Sequence, residues 1–376
     1  KFGNVTFTKE GTYTFDIKET VPDQMDGGVT YDQHTTKATV VVTDDTAHPG
    51  KLKASVTYNN GTVSNATDKA VFQNTYEASF AYETTGGLLV EKVLNGRTMQ
   101  AGEFNFTITP QDDAPGVSEA DASFNNPQQR ASGVPDSMQK LLGLTFDQTD
   151  AGTTYEYIVK ETKGSAAGVT YDVTQFLVAI QMMDNYDGTM YAITTITPQT
   201  KNDDGSYTNG TATVFNSKEN PTEKPSLRFV NTYEAGAADP VGITTGFNKV
   251  LKGRSWNDND SFTFTLKALT DGAPMPEKSN VTVSKDNLAD GKAPISFGNI
   301  TFAKAGVYKY EVKENVPQDV AAGMVYDDTP RTITVTVTDD GSGKLTVAQT
   351  SVAGSETFTN EYKTADLPLN KACGVR

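Results

Sequence analysis

Three short phrases recur along this sequence in a fixed order, and together they constrain the fold more than any other feature. A strand-like run that ends in Lys-Glu occurs three times, with its glutamates at Glu19, Glu161 and Glu314. Each run is followed by an asparagine two residues after a phenylalanine, at Asn74, Asn231 and Asn360. Two of the copies open with a lysine inside an apolar run, Lys92 and Lys249. More than a hundred residues separate successive asparagines, a spacing that suits whole domains better than solenoid repeats.

The copies differ in extent, and this predicts the domain boundaries. Residues 1–78 hold only the later part of a module, whereas residues 86–236 and 242–364 each contain all the phrases of a complete module. Residues 365–376 resemble the start of a further module, with Lys371 in the place of the opening lysine. We therefore expect a window cut from a longer tandem array.

Short alternating runs rich in Thr, Val, Tyr and Phe, such as residues 332–338, indicate strands with one buried face. Asp-Asp-Gly and Asn-Gly turns bound these runs, and no run with a convincing helical period appears. The pattern predicts an all-β protein, built of tandem immunoglobulin-like antiparallel β-sandwich modules in an elongated rod. One stretch of the second module is irregular, and we expect a long loop over residues 124–130 followed by one helical turn over residues 137–142.

Charge and cysteine content narrow the function classes. The chain has 32 Lys and Arg against 47 Asp and Glu, for a formal charge of −15, which disfavours binding to nucleic acid or to anionic lipid. No segment has the pattern of a signal peptide or a transmembrane helix. The single cysteine, Cys373, lies near the end, so disulfides cannot staple each module. A secreted β-array of this kind needs another covalent link to resist pulling and proteolysis.

Metal sites are not indicated either. Only two histidines occur, His34 and His48, and both lie in the first module, so neither a zinc site nor a catalytic triad can recur in every module. Clusters of Asn and Asp such as residues 257–260 lack the spacing of a calcium loop and predict hairpin turns. The sequence predicts no metal and no cofactor.

The repeated phrases resemble the isopeptide-forming domains of Gram-positive pilus shafts and related surface adhesins, the group that includes the streptococcal backbone pilin. The matching elements are a Lys-Val-Leu-(Asn/Lys)-Gly-Arg opening, a Tyr-x-Tyr-x-Val-Lys-Glu strand, a Val-x-Tyr-Asp turn and a Phe-x-Asn-x-Tyr close. The resemblance implies two cross-links, in which Lys92 is the amine donor to Asn231 and Lys249 is the amine donor to Asn360.

The same resemblance implies that Glu161 and Glu314 are the catalytic carboxylates of these two modules. In the first module it assigns only Glu19 and Asn74, without a lysine. Lys371 would belong to the next module. The mismatched ends have two explanations: simple truncation of a longer array, which we prefer, and head-to-tail complementation, which would bring Lys371 of one copy to Glu19 and Asn74 of the next.

The chemistry asks for these residue types independently of any family. A lone lysine on a strand is usually a surface residue, but joint recurrence of Lys, Glu and Asn favours a buried set. Burial favours the neutral, nucleophilic amine and the protonated carboxyl. The glutamic acid is then expected to donate a hydrogen bond to the asparagine carbonyl oxygen and to transfer protons while ammonia leaves. Each site would act once, so the protein is not expected to be an enzyme.

The predicted function is structural: a stalk or pilus-shaft segment outside a Gram-positive cell, at the cell surface, cell wall or pilus. The expected partners are neighbouring copies or modules of the same polymer. The alternative is an adhesin whose modules bind a host protein or glycan, and the Pro-bearing insertion at residues 216–225 of the second module is where such specificity would lie. A sugar-active enzyme ranks third, because no carboxylate pair stands apart from the repeat.

Overall fold

The computed structural model describes residues 2–363, and these residues are almost entirely in β-strands and turns. The expected all-β class is confirmed. The only α-helix among these residues is the four-residue α1 (Glu119–Ala122). By its internal contacts the chain divides into two compact units. The first comprises residues up to Val93 with 99–163 and 172–230, and the second comprises 94–98, 164–171 and the residues from Asn231 onward.

Eighteen strands lie between Gly11 and Tyr233. The first nine are β1 (Gly11–Lys18), β2 (Val29–Thr30), β3 (Thr35–Asp44), β4 (Leu52–Asn59), β5 (Thr75–Tyr76), β6 (Ser79–Ala81), β7 (Leu88–Asn95), β8 (Asn105–Pro110) and β9 (Ser123–Asn125). The next nine are β10 (Asp136–Lys140), β11 (Thr145–Asp147), β12 (Thr154–Thr162), β13 (Val169–Thr170), β14 (Thr174–Asp184), β15 (Met190–Lys201), β16 (Tyr207–Asn209), β17 (Thr213–Asn216) and β18 (Ser226–Tyr233).

Nine more strands follow up to Tyr362. They are β19 (Asn248–Lys252), β20 (Ser261–Ala268), β21 (Asn280–Ser284), β22 (Ala293–Pro294), β23 (Gly306–Asn315), β24 (Met324–Val325), β25 (Arg331–Asp339), β26 (Leu345–Ala353) and β27 (Thr357–Tyr362).

The first unit contains a three-stranded sheet, β1-β3-β4, and a larger sheet in the order β16-β15-β14-β12-β8-β9 with β17 also paired to β15. The lysine strand β7 lies between β10 and β18 in a separate sheet. Strand β10 corrects the sequence expectation of a helical turn at residues 137–142. Asp136 and Met138 alternate inward on it, and Asp136 stands opposite Lys92, so pairing along the edge of β7 outweighs the weak local helix signal.

In the second unit, β21-β20-β23-β25-β26 form one sheet and β22-β19-β27-β24 form another. Both sheets contribute to a single apolar core that includes Phe264, Val312, Ile333 and Phe358, which makes this part a β-sandwich. Strict alternation explains the inward faces: in β25 the Ile and Val side chains point inward and the Thr side chains lie on the other face.

One strand pair departs from the expected antiparallel arrangement. Strands β19 and β27 run parallel, with Lys249 opposite Phe358 and Leu251 opposite Asn360. Parallel neighbours need a long crossover connection, and here it consists of all the strands from β20 to β26. The first and last strands of the sandwich are therefore adjacent in space.

Candidate cross-linking sites

The lysine of the third copy lies inside the sandwich. Lys249 is fully buried because the alternation of β19 turns it and Leu251 inward. Its Nζ lies 4.7 Å from the ring centroid of Phe262 and 6.0 Å from that of Phe264. Loss of hydration in these apolar surroundings lowers the pKa of Lys249 to about 8, against the opposing attraction of Glu314.

The glutamate of the same copy faces this amine. Glu314 is fully buried on β23, and its Oε2 accepts a hydrogen bond from Lys249 Nζ at 2.6 Å. Burial raises the pKa of Glu314, although the lysine and the asparagine beside it act in the opposite direction. Both shifts favour the neutral amine and the protonated acid over an ion pair, since the interior solvates charge poorly.

The asparagine completes a continuous set of contacts. Asn360 is fully buried on β27, and its Nδ2 donates to Glu314 Oε1 at 2.7 Å. Its Oδ1 accepts from the backbone N–H of Asp327 at 2.8 Å. Glu314 thus bridges the amine and the amide nitrogen through its two oxygens.

This geometry corrects one sequence expectation, namely that the glutamic acid donates to the asparagine carbonyl oxygen. The Asp327 backbone N–H already occupies Oδ1. A fixed backbone donor aimed at a carbonyl oxygen is an oxyanion-type arrangement. Polarisation of the carbonyl and proton transfer are therefore divided between two residues.

Sequence reasoning missed the role of Asp327. Its carboxylate accepts from the backbone N–H of Thr359 at 3.1 Å and from Arg331 Nη2 at 2.9 Å, which holds the turn against the closing strand next to Asn360. The available signal was the Tyr-Asp turn that follows a valine in each copy, with its aspartates at Asp32, Asp172 and Asp327. The phrase marked the repeat but carried no assigned chemistry.

The second copy has the same lysine and glutamate arrangement. Lys92 is fully buried, lies 4.5 Å from the ring centroid of Phe104 and donates to Glu161 Oε2 at 2.7 Å. Loss of hydration is the largest influence on Lys92 and lowers its pKa. Asn231 is fully buried on β18, the strand next to the lysine strand β7. Asp172 accepts from the backbone N–H of Val230 at 2.9 Å, as Asp327 does from Thr359.

The first copy brings its glutamate and asparagine together. Asn74 Nδ2 donates to Glu19 Oε1 at 2.8 Å, and the backbone N–H of Asp32 donates to Asn74 Oδ1 at 2.8 Å. Glu19 Oε2, the oxygen that takes the lysine in the other copies, is buried without a hydrogen-bond partner among the described residues. Within residues 2–363, β5 pairs only with β2. Lys371 lies outside the described residues.

Metal binding and membrane spanning are two further possibilities for residues 2–363. No group of three or more His, Cys, Asp and Glu side chains is placed to hold a metal ion there. Over the same residues, no helix combines the length and the apolar character needed to cross a bilayer.

Buried lysine, glutamate and asparagine recur in the β-sheet modules of this chain, and comparison with known families gives the family to which they belong. The chain belongs to the FctA family, described as the Spy0128-like isopeptide containing domain, whose model matches residues 1–77, 88–234 and 245–363. No curated protein matches the chain at a significant level.

Solved structures of Streptococcus pyogenes major pilins also align. The T3.2 pilin shares 15% identity over 73% of this chain and 97% of its own, with a TM-score of 0.21. Another S. pyogenes major pilin shares 16% identity over 73% of this chain and 97% of its own, with a TM-score of 0.24. Overall superposition at these scores is poor, and the family assignment comes from the family model.

Proposed function

We propose that this chain is a segment of a pilus shaft on the surface of a Gram-positive cell, with two modules locked by internal isopeptide bonds. The bonds join Lys92 to Asn231 and Lys249 to Asn360. The observation that carries the proposal is the buried contact series from the Lys249 amine through Glu314 to the Asn360 amide. Membership of an isopeptide-containing family supports it.

The bond forms by exchange of one amine for another at Asn360. The neutral Nζ of Lys249 attacks Cγ of Asn360, while the Asp327 N–H stabilises the negative charge that develops on Oδ1. Glu314 gives its proton to Nδ2 from Oε1 and takes one from Nζ at Oε2. The Cγ–Nδ2 bond breaks, ammonia leaves, and Glu314 ends as it began, protonated.

Preorganisation replaces any cofactor in this scheme. Well-oriented intramolecular reactions reach effective molarities on the order of 10⁵ M or more. Here the folded sandwich holds Glu314 within hydrogen-bond distance of both Lys249 and Asn360. The new amide persists, so each site acts once and the protein has no turnover.

The placement of the bond gives it a mechanical role. Lys249 and Asn360 lie on the parallel neighbours β19 and β27, which are the first and last strands of the third module. Tension that enters along β19 would pass through the bond into β27. The strands between them would carry no load, as a shaft under traction requires.

Force spectroscopy on the whole chain tests this role. The unmodified protein should show no unfolding step for the third module, whereas Glu314→Gln should release more than a hundred residues, a step of about 400 Å. The matched control is Glu311→Gln on the same strand, which should behave as the unmodified chain does. An equal step in the unmodified chain would refute load transfer through the bond.

For the first copy we propose complementation by a lysine supplied in trans. Glu19 Oε2, which has no hydrogen-bond partner among the described residues, marks where an amine would bind. A groove of about 870 Å³ is open beside β1, and its lining includes Phe7, Phe15 and Val40. Lys371 of another copy is the proposed donor to Asn74. Direct binding of a host protein or glycan at residues 216–225 stays a prediction.

A further inference from the structure

A tyrosine that follows each closing asparagine makes a contact with the hairpin of the next copy along the chain. Tyr233, two residues after Asn231, donates from its hydroxyl to Asp339 Oδ1 at 2.7 Å. The same hydroxyl accepts from the backbone N–H of Gly343 at 3.1 Å. Asp339 is the last residue of β25 and Gly343 lies in the turn that leads to β26, so the tyrosine contacts that hairpin.

The contact is repeated between the first and second copies. Tyr76, two residues after Asn74, donates to Asp184 Oδ1 at 2.7 Å, and the backbone N–H of Gly188 donates to its hydroxyl at 3.3 Å. Asp184 is the last residue of β14 and Gly188 lies in the turn that leads to β15. Corresponding residues form both contacts, so this joint between the tyrosine of one copy and the hairpin of the next is a repeated feature of the chain rather than an accident of packing.

Glycines on both sides make the close approach possible. A Cβ at Gly168 would lie 2.8 Å from the Tyr233 ring and 3.1 Å from the Cα of Gly343. A Cβ at Gly28 would lie 2.8 Å from the Tyr76 ring. Real Cβ atoms essentially never come as close as 2.8 Å to a neighbouring heavy atom, and both glycines have positive φ. The tyrosine, packed on a glycine, is the donor half of the joint, because its hydroxyl donates to the aspartate of the hairpin, and that hairpin is the acceptor half.

The third copy presents the same donor half. The backbone N–H of Lys363 donates to Gly323 O at 2.8 Å, and Tyr362 is two residues after Asn360 with its ring beside Gly323. Arg254 stacks on the Tyr362 ring at 5.0 Å, as Arg97 stacks on Tyr233 at 4.9 Å. Among the described residues, the Tyr362 hydroxyl has no hydrogen-bond partner.

The first copy presents the matching acceptor half. Asp44 stands opposite Leu52 at the end of β3, as Asp339 stands opposite Leu345. Gly50 lies two residues before Leu52, as Gly343 lies two residues before Leu345, and both have positive φ, although the Asp44 hairpin is two residues longer. A Cβ at Gly50 would meet no atom within 4 Å, whereas one at Gly343 would meet Ala167 and one at Gly188 would meet Gly28. The space that the preceding copy fills beside the other two hairpins is therefore open here.

We propose that the Tyr362 face of one copy of this chain docks into the Asp44–Leu52 hairpin of a second copy, with the Tyr362 hydroxyl donating to the Asp44 carboxylate and accepting from the Gly50 backbone N–H. The occupant is a second copy because both halves belong to this chain and the chain itself shows twice how they fit. The joint is noncovalent and is independent of the isopeptide bonds. In the two existing joints, burial is the largest influence that raises the pKa of Tyr76 and of Tyr233, so both hydroxyls stay protonated donors.

Sedimentation velocity over a range of protein concentrations tests the joint. The chain is used in reducing buffer with Lys371→Ala, which removes any covalent route, and at about 0.15 M salt to screen repulsion between acidic copies. We expect oligomers that grow with concentration. Tyr362→Phe should weaken association about tenfold or more, since it removes a buried hydrogen bond to a charged group. Tyr308→Phe, whose hydroxyl contacts only Lys304 O, is the matched control and should change nothing.

Mixing two variants gives the sharpest readout. Neither Tyr362→Phe nor Asp44→Ala alone should associate strongly, but an equal mixture retains one intact pair between unlike copies. It should therefore form dimers and no larger species. A chain that stays monomeric up to about 1 mM, or one whose association is unchanged by both substitutions, would overturn the proposal. Intact mass, which reports the isopeptide bonds separately, distinguishes this outcome from failure of the cross-links.

Discussion

Replacing Glu314 by glutamine should lower the stability of the third module by the worth of its cross-link. The bond closes a loop of more than a hundred residues between Lys249 and Asn360. The loop-entropy model used for disulfides gives about 5 kcal/mol for a loop of this length. A module of about 120 residues has an unfolding entropy of about 0.25 kcal/mol/K, so its Tm should fall by about 20 °C.

Differential scanning calorimetry of the whole chain can measure this fall, because the third module would melt as a separate, earlier transition. Glutamine keeps the shape of Glu314 but cannot transfer the protons. Lys249→Met removes the bond through a different residue and leaves no unjoined amine in the core, so a similar fall in both variants assigns the effect to the bond. Glu311→Gln should stay within about 0.5 kcal/mol of the unmodified chain. An unchanged transition in both bond-free variants would refute the reasoning.

Three further outcomes are expected. When unlinked chain is refolded at set pH and bond formation is followed by mass, the rate should have a bell-shaped dependence on pH. Below the raised pKa of Glu314, Lys249 and Glu314 are both protonated, so nothing accepts the proton of the Lys249 amine. Above a pH of about 8 both have lost their protons, so none is left for the leaving nitrogen of Asn360. A rate independent of pH would contradict this. Asp327→Ala should slow bond formation without abolishing it, because its carboxylate anchors the turn whose N–H polarises Asn360; an unchanged rate would remove the aspartate from the account. Denaturing electrophoresis should show a ladder that Lys371→Ala abolishes, and a single monomer band would mean that Asn74 is unlinked.

Recurrence in the sequence singled out side chains that the structure places together. The structure brings Lys249, Glu314 and Asn360 into direct contact, and it brings Asn74 to Glu19. Alternation explains this success, since period-2 burial places every second residue of a strand in the core. A lysine at an inward position of such a strand is therefore buried in the core.

Neighbour relations between strands were not predictable in the same way. Periodicity says which face of a strand is buried, but it does not say which strand lies beside it or in which direction. The parallel pairing of β19 with β27 and the edge strand β10 were missed for this reason. The Asp327 N–H on Asn360 Oδ1 was missed because a backbone group leaves no mark on residue identity.

The most direct test of the account is the intact mass of the purified, denatured chain. Each isopeptide bond releases one ammonia, so the mass should lie two ammonias below that of the sequence, one for Lys92 with Asn231 and one for Lys249 with Asn360. Glu161→Gln and Glu314→Gln should each restore one ammonia, and the double variant should restore both, after allowance for the substitutions themselves. A mass equal to that of the unmodified sequence would contradict the central claim.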